Sequence, residues 1–551
     1  MENSALPPLP PIARGFLYSA WSGLHSVQAD WLPSRTAIPL ILLSLLACTL
    51  ILQAYTHHRH NLALASHFQA FAASTNSSPT TPAPIPYTLL TSARNKLALL
   101  RNLKRNLLST NLAQKFHSHG PTHAIYNPYG LPKVVHTIDP RNVHAVLSAQ
   151  SQDYGVPAAR LAAIGPIGSR GVVMTEGAVW HANRKAINAG FRGARFTDGI
   201  EENTRTLFST LTEDGEGWTA PVPLFDAFAF MSLDRSIRHM FGVRADLQAK
   251  EGAAMRERLR WKEAFDVVAR YVSVRSVLGR KSWMYDGVPF RRACALLRRL
   301  CEGTIRAAVR ESKAGNADAV TGCFVGNLVQ ETADVRRVCD VTLDVFIAGH
   351  NMTSGVLSWL FFELEKRPDV YEAVRREVLD TFGTASQPRA EMTWDRLQQC
   401  QLLSNCINET MRLYPTLPNI GRQTIRDTVL PTGGGEDGQQ PLALPKGTVV
   451  MCCLYLMHRR PEEWGADTEE FRPERWVGLK PSHSFSPFGG GPRICPGKLF
   501  GLVELFHVTA RIMQRFQAIR KPEGEAPVRV TGAGVLLPPD GARLQLQVAE
   551  G

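Results

Sequence analysis

The chain has 551 residues, of which 44% are hydrophobic and 20% charged, a composition typical of a globular protein with a large core. Its formal net charge of +13 would suit an anionic membrane surface or an acidic protein partner. The basic residues are scattered and form no aromatic-interleaved groove, so nucleic acid is not an expected partner. Ten cysteines without a C-x-x-C pair do not fit a disulfide framework or a zinc site. They favour thiols in a reducing compartment.

The first segments of the chain predict a membrane anchor. Residues 1–36 are proline-rich and irregular, whereas residues 37–55 are apolar and carry no charge. At about 1.5 Å per helical residue, the apolar run just reaches across a bilayer core. A buried core helix and a cleaved signal peptide are the alternatives. Basic residues flank the run on both sides, so charge alone leaves its orientation open.

The next segment is rich in proline, serine and threonine. Residues 56–86 therefore predict a linker, and residues 87–551 predict one globular domain. Within that domain, Val134–Pro140 reads as a strand and a helical pattern begins near Asn142.

Two helical patterns in the second half of the chain carry candidate functional residues. The longest runs from about Asp334 to Lys366 and is apolar nearly all round, which indicates a buried helix. Gly349 inside it costs about 1 kcal/mol relative to alanine, which suggests a packing or ligand-related reason. The second pattern runs from Leu402 to Leu413 and places Glu409 and Arg412 on one helix face.

A glycine-rich loop with one cysteine is the most informative stretch of the chain. Cys495 follows three consecutive glycines, and a helical pattern begins near Gly497. A thiolate is a soft, strongly donating metal ligand whose charge is stabilised by nearby N–H groups and by a helix N-terminus. Glycines let the backbone pass close to a flat cofactor. Taken alone, Cys495 could equally be a buried free cysteine in a turn.

The residues around the cysteine resemble a known signature. Phe488, Gly491, Arg493, Cys495 and Gly497 match all five positions of the haem-ligand motif of the cytochrome P450 family. Further landmarks follow the same order from about residue 137 to residue 520. The chain looks most like the fungal microsomal alkane and fatty-acid hydroxylases of that family.

The resemblance implies a role for each matching residue. Cys495 would be the axial ligand of the haem iron, within a loop that Phe488 and Gly497 help to shape. Four further residues would lie at the haem propionates: Trp180, Arg184, Arg422 and Arg493. A structural triad behind the haem would comprise Glu409, Arg412 and Arg475. The bare residues of this triad could also form an ordinary exposed helix ion pair.

The oxygen-activation segment departs from the family pattern. Residues 348–354 align with it, but Asn351 stands in place of the usual acid and Met352 in place of the first threonine. An amide has no useful pKa and a thioether cannot donate a proton. The remaining candidates for oxygen and proton handling are Gly349, His350, Asn351 and Thr353, and Thr353 lies about 100° around the helix from the usual position. An ordered water or a substrate hydroxyl could also serve.

The resemblance further implies fold, cofactors and partners. The expected fold is mainly α with a small β-rich lobe, preceded by one transmembrane helix. The expected cofactor is haem b, with electrons from NADPH through the FAD and FMN of a separate reductase, and cytochrome b5 as a possible second donor. The protein would lie in the endoplasmic reticulum membrane with its catalytic domain in the cytosol. There it would hydroxylate a lipophilic substrate of fungal secondary metabolism.

Three alternatives remain open from the sequence. The changes at 351 and 352 would suit a haem-thiolate dehydratase, isomerase or peroxygenase that does not use dioxygen and NADPH. A terminal alkane or fatty-acid hydroxylase is a second alternative. A non-catalytic haem-binding or sterol-binding protein is the third.

Overall fold

The computed structural model describes most of the globular part of the chain. It covers residues 37–86, 97, 108–168, 170–191, 197, 199–249, 252–314, 322–332, 334–349, 351–479, 482–525, 535–538 and 542–549. By contacts between Cα atoms the chain divides into two units, Met1–His67 and Phe68–Gly551.

The described residues are mostly helical. The helices are α1 Ala37–Ser74, α2 Leu108–His119, α3 Pro140–His144, α4 Ala158–Ile164, α5 Gly177–Gly190, α6 Ile200–Thr210, α7 Leu224–Phe241, α8 Gly252–Leu278, α9 Val288–Lys313, α10 Phe324–Glu331, α11 Val335–Gly349, α12 Met352–Glu365, α13 Pro368–Phe382, α14 Trp394–Leu397, α15 Gln401–Leu413, α16 Leu454–Met457, α17 Pro461–Trp464 and α18 Lys498–Arg515. Short π or 3-10 turns occupy Ala145–Ala149, Ser151–Asp153, Gly279–Met284, Pro473–Trp476 and Gly491–Arg493.

A smaller β region completes the expected mainly-α fold. Its strands are β1 Ile85–Pro86, β2 Thr122–Tyr126, β3 Pro132–Thr137, β4 Tyr154–Gly155, β5 Val222–Pro223, β6 Asn419–Thr424, β7 Thr428–Gly434, β8 Gln440–Leu444, β9 Val449–Cys453, β10 Phe516–Arg520 and β11 Arg543–Val548. They form a six-stranded sheet in the order β1-β2-β3-β9-β6-β4, a three-stranded sheet β10-β11-β5 and the hairpin β7-β8. The predicted strand at Val134–Pro140 overlaps β3 but runs past its end at Thr137, since α3 begins at Pro140.

The six-stranded sheet positions one of the candidate site residues. β9 pairs in parallel with β3 and antiparallel with β6, with Arg422 opposite Val450 and Gly421 opposite Met451. Alternate strand residues point to opposite faces. The register between β6 and β9 therefore fixes the position and the direction of Arg422, whose side chain is buried.

The predicted linker at residues 56–86 differs from the structure. Helix α1 continues to Ser74 instead of ending near Tyr55. In the second unit Phe68 and Ala72 are fully buried, and Ile85–Pro86 pairs in parallel with β2. The proline-rich composition suggested an irregular tether, but apolar burial and strand pairing make residues 68–86 part of the second unit, which therefore begins well before residue 87.

The predicted single helix from Asp334 to Lys366 is also wrong in one respect. α11 ends at Gly349 and α12 begins at Met352, with Asn351 between them in the left-handed region at φ 68°. By length and composition, Val335–Glu365 could cross a membrane, yet 65% of its most apolar window is buried inside the protein. This pair of helices belongs to the core.

Candidate active site

The loop before Cys495 is held in a fixed path by backbone hydrogen bonds. The amide of Cys495 donates to the carbonyl of Phe488 at 3.0 Å, and the amide of Ile494 donates to that of Gly491 at 3.1 Å. Gly491 has φ 60°, and a Cβ there would overlap the carbonyl oxygen of Leu147. Only glycine combines this left-handed conformation with so close an approach.

Cys495 is exposed to solvent, yet the protein around its sulphur influences the charge of the thiol. The side chain is exposed, unlike those of the eight buried cysteines. Burial of the sulphur raises the pKa of the thiol, whereas the amide of Gly497 and the charges of Arg184 and Lys498 oppose that rise. Gly497 also forms the N-terminal boundary of α18, so the positive end of that helix lies beside the sulphur.

Helix α5 places Trp180 and Arg184 against the cysteine loop. One Nη of Arg184 donates to the carbonyl of Ile494 at 2.8 Å. The guanidinium of Arg493 lies 4.6 Å from the centroid of the Trp180 ring and donates to the carbonyl of Thr175 at 3.1 Å. The two residues predicted on one helix face therefore do meet the loop.

Arg422 lies beside a second arginine that the sequence analysis did not identify. Nη1 of Arg422 and Nη2 of Arg160 both donate to the carbonyl of Gly421 at 3.1 Å. Burial lowers the pKa of Arg422 to about 10, and the charge of Arg160 adds to that effect. Arg160 belongs to no recognised motif, and the pairing of β4 with β6, distant in the sequence, brings its helix to this place.

The candidate oxygen-handling residues lie at the break between α11 and α12. Ala348 and Gly349 are exposed, Asn351 and Met352 are half-buried, and His350 lies outside the described residues. Thr353 is only 9% exposed. Its hydroxyl lies 3.7 Å from the position that a Cβ on Gly501 would take, so it faces α18 rather than the accessible side of α11. This placement does not favour Thr353 as a substitute for the family's threonine.

Two turns before the break, α11 carries an acid that the sequence analysis missed. Asp344 Oδ2 accepts a hydrogen bond of 2.9 Å from the amide of Val173. A Cβ on Gly171 would overlap the same carboxylate. Burial raises the pKa of Asp344 to about 7, with a smaller contribution from the charge of Asp340. This carboxyl group can gain or lose a proton near neutral pH.

Glu409, Arg412 and Arg475 form a buried network. Both oxygens of Glu409 accept from Arg412, at 2.8 and 2.9 Å, and Oε1 also accepts from Nε of Arg475 at 2.9 Å. Nε1 of Trp476 donates to Oε2 at 2.9 Å. Burial alone would raise the pKa of Glu409, but these hydrogen bonds and charges hold it below its ordinary value.

Comparison with known proteins identifies the family. A family model described as Cytochrome P450 matches residues 95–546. Cytochrome P450 monooxygenase g430 of a Fusarium species is 31% identical over 411 residues, covering 72% of this chain and 72% of the relative. Cytochrome P450 52A5 of Candida maltosa is 31% identical, covering 73% and 78%, and cytochrome P450 monooxygenase himC of Aspergillus japonicus is 31% identical, covering 76% and 74%.

The chain belongs to the cytochrome P450 family. Its relatives are named monooxygenases, and the chain is accordingly a cytochrome P450 oxidoreductase.

The residues present fit the haem that a cytochrome P450 binds. An accessible thiol in a glycine-rich loop, next to an amide and two cations, suits a thiolate ligand. Burial and the charge of the neighbouring Arg422 lower the pKa of Arg493, and two cations placed near one another suit the two propionates of a porphyrin.

Proposed function

We propose that this cytochrome P450 is a membrane-anchored haem-thiolate monooxygenase that inserts one oxygen atom of dioxygen into a C–H bond of a lipophilic substrate. The observation that carries the proposal is Cys495, an exposed thiol in a loop fixed by the Phe488 carbonyl and by Gly491. The substrate would belong to fungal secondary metabolism, in keeping with relatives from Fusarium and Aspergillus.

In this proposal the residues around the cysteine loop stabilise the Cys495 thiolate and hold the haem. When bound, the haem supplies the chemistry of dioxygen activation, which a thiolate ligand promotes. The Gly497 amide and the cations Arg184 and Lys498 stabilise the negative charge on the Cys495 sulphur. Arg184, Arg422 and Arg493, with Trp180 stacked against Arg493, would hold the propionates.

Proton supply would be the unusual feature of this enzyme. Asn351 can hold a water by hydrogen bonds but cannot supply a proton, and Met352 offers no donor. Exchanging both for Glu and Thr should therefore raise the product formed per NADPH oxidised, measured with a reductase present. The single exchange of Met352→Leu controls for altered packing at this site. Unchanged coupling in the double variant would contradict the role assigned to Asn351 and Met352.

The same two residues favour one second candidate. A haem-thiolate dehydratase, isomerase or peroxygenase needs no proton delivery to bound dioxygen. Such an enzyme would turn over its substrate, or use hydrogen peroxide, without NADPH and reductase. The monooxygenase proposed above would be inactive when dioxygen is the only oxidant and NADPH and reductase are left out.

We also propose a location and electron donors. Many apolar side chains in the described part of the first unit are exposed, among them Leu43 at 64% and Ile51 at 69%, and exposed leucines along a helix suit contact with lipid. The protein would lie in the endoplasmic reticulum membrane with its catalytic domain in the cytosol. An NADPH-dependent reductase carrying FAD and FMN would supply electrons, with cytochrome b5 as a second donor. The net charge of +13 would favour an acidic partner surface.

The carbon monoxide difference spectrum of the reduced, membrane-expressed protein tests the cofactor and its ligand together. We expect a Soret band at the long-wavelength position typical of thiolate-ligated haem, and its loss in Cys495→Ala. Cys301→Ala, at a buried cysteine far along the chain from the loop, is the matched control and should keep the band. A well-folded wild-type protein without the band would refute the proposal.

A further inference from the structure

Three arginine side chains from separate elements converge beside β6. Arg160 comes from α4, Arg422 from β6 and Arg493 from the cysteine loop. Arg160 and Arg422 share the carbonyl of Gly421, at 3.1 Å each. Burial lowers the pKa of Arg493 to about 10, and the charge of Arg422 adds to that effect. Burial and the charge of Arg493 likewise lower the pKa of Arg160.

The cluster has more positive than negative charge. Among the described residues, no ion pair includes Arg160, Arg422 or Arg493. Glu176 opposes the lowering at Arg493, but one of its oxygens already accepts from the amide of Val156. Three guanidinium groups therefore face a single carboxylate. Partly desolvated like charges are costly unless an anion joins them.

Arg160 is fixed in place rather than free to swing into solvent. Its helix follows β4, which pairs with β6 through Tyr154 and Gly155. The amide of Ala158 donates to Oε1 of Gln423 at 3.1 Å. This hydrogen bond ties α4 to β6 independently of the one from Arg160 to Gly421. A half-buried cation that bonds the Gly421 carbonyl from a helix tied to β6 is prepared for a ligand.

We propose that Arg160 binds a carboxylate as the third cation of this cluster. The proposal rests on the proposed function, which assigns Arg422 and Arg493 to the haem propionates and gives Arg160 no role. A guanidinium fork matches a carboxylate in two parallel hydrogen bonds. The carboxylate has two possible sources, a haem propionate or the acid group of a substrate.

The experiment uses the full-length holoprotein in two arms. Arg160→Gln removes the cation, Arg160→Lys keeps the charge without the fork, and Arg376→Gln at an exposed helix ion pair is the control for loss of one arginine. The first arm measures the rate of haem transfer to excess apomyoglobin. The second measures binding of dodecanoate and of dodecan-1-ol from the shift of the Soret band.

Each source predicts a distinct result. A propionate contact makes Arg160→Gln lose haem at least tenfold faster than Arg376→Gln, with Arg160→Lys between them. A substrate contact leaves haem transfer unchanged and weakens dodecanoate binding at least tenfold, whereas dodecan-1-ol binding stays constant. If neither quantity moves relative to Arg376→Gln, the proposal is wrong. If neither dodecanoate nor dodecan-1-ol binds to the wild type, the rate of haem transfer alone decides whether the proposal stands.

Circular dichroism and the thiolate band of the wild type distinguish a folding defect, a wrong proposed function and a wrong role for Arg160. If Arg160→Gln does not fold, as judged by circular dichroism, the comparison of Arg160→Lys with wild type decides between the same outcomes. A wild-type protein without the thiolate band would refute the proposed function. A wild type with the band and unaffected Arg160 variants would refute only the role of Arg160.

Discussion

Asp344 shows how burial sets the behaviour of a single residue. Its pKa is raised to about 7 by burial, whereas an aspartate in an unfolded chain titrates near 3.9. Between these values the folded protein keeps a proton that the unfolded chain has lost. Its contribution to stability therefore falls as the pH rises from about 4 through 7.

This loss of stability with rising pH predicts the effect of Asp344→Asn. The amide keeps an acceptor for the Val173 amide and carries no charge, so the variant should be more stable than wild type at pH 8, by up to about 4 kcal/mol for a shift of three pK units. The advantage should vanish near pH 4. Thermal unfolding of the holoprotein at several pH values measures it, with the exposed Asp380→Asn as control. An equal effect of both variants at pH 8 would contradict the account.

At the residue scale, the sequence predicted the site residues that lie on local motifs and not those whose surroundings come from distant parts of the chain. The positions of Cys495, Trp180 and Arg184 follow from motif spacing, because each lies on a short local element. Arg160 and Asp344 were not identified, because their surroundings come from residues far along the chain, Gly421 and Val173. Long-range burial and charge of this kind have no local sequence pattern.

At the scale of elements, the break between α11 and α12 depends on Asn351. Asn is one of the few residues that visit the left-handed region at low cost, and its φ is 68°. Apolar periodicity continues across the break, which is why the sequence predicted one helix.

Substitution at this position tests the break. Asn351→Gly should keep the stability of the holoprotein within about 0.5 kcal/mol, whereas Asn351→Ala should lower it by about 1–2 kcal/mol, because alanine has the Cβ penalty of the left-handed conformation without the short polar side chain that offsets it in asparagine. Thermal unfolding compares the two. If Asn351→Ala is as stable as Asn351→Gly, the segment can form a continuous helix and the break does not depend on this residue.

The Glu409 network joins α15 to the segment that precedes the cysteine loop. Arg412→Met leaves the Glu409 carboxylate buried without two of its donors and should cost about 3–5 kcal/mol. Arg376→Met breaks an exposed pair with Glu372 and should cost less than about 1 kcal/mol. Chemical denaturation compares the two variants. Similar losses would show that the buried charges are compensated in another way.

At the scale of the whole molecule, the first unit should be separable from catalysis. Deleting residues 1–67 keeps Phe68 and Ala72, which are fully buried in the second unit. We expect the truncated protein to keep the carbon monoxide band and to leave the membrane fraction after a carbonate wash, whereas full-length protein stays. Retention of the truncated protein in washed membranes would refute a single N-terminal anchor.

The mainly-α architecture was predictable because long helices and the haem-ligand motif are local features. The linker prediction failed for the opposite reason. Proline-rich composition says nothing about a partner strand, and β1 is held by β2 some forty positions later in the chain.

The buried imidazole of His458 connects the structural network to the ligand loop. Its Nε2 accepts the amide of Ser486 at 3.1 Å, and its carbonyl accepts Arg412 at 2.9 Å. Burial lowers the pKa of His458 to about 3. A proton in acid solution competes with the Ser486 amide for the same lone pair. As the pH falls from about 6.5, the unfolded chain gains a proton that the folded protein refuses, so acidification lowers the stability of the fold that holds the Cys495 loop in place.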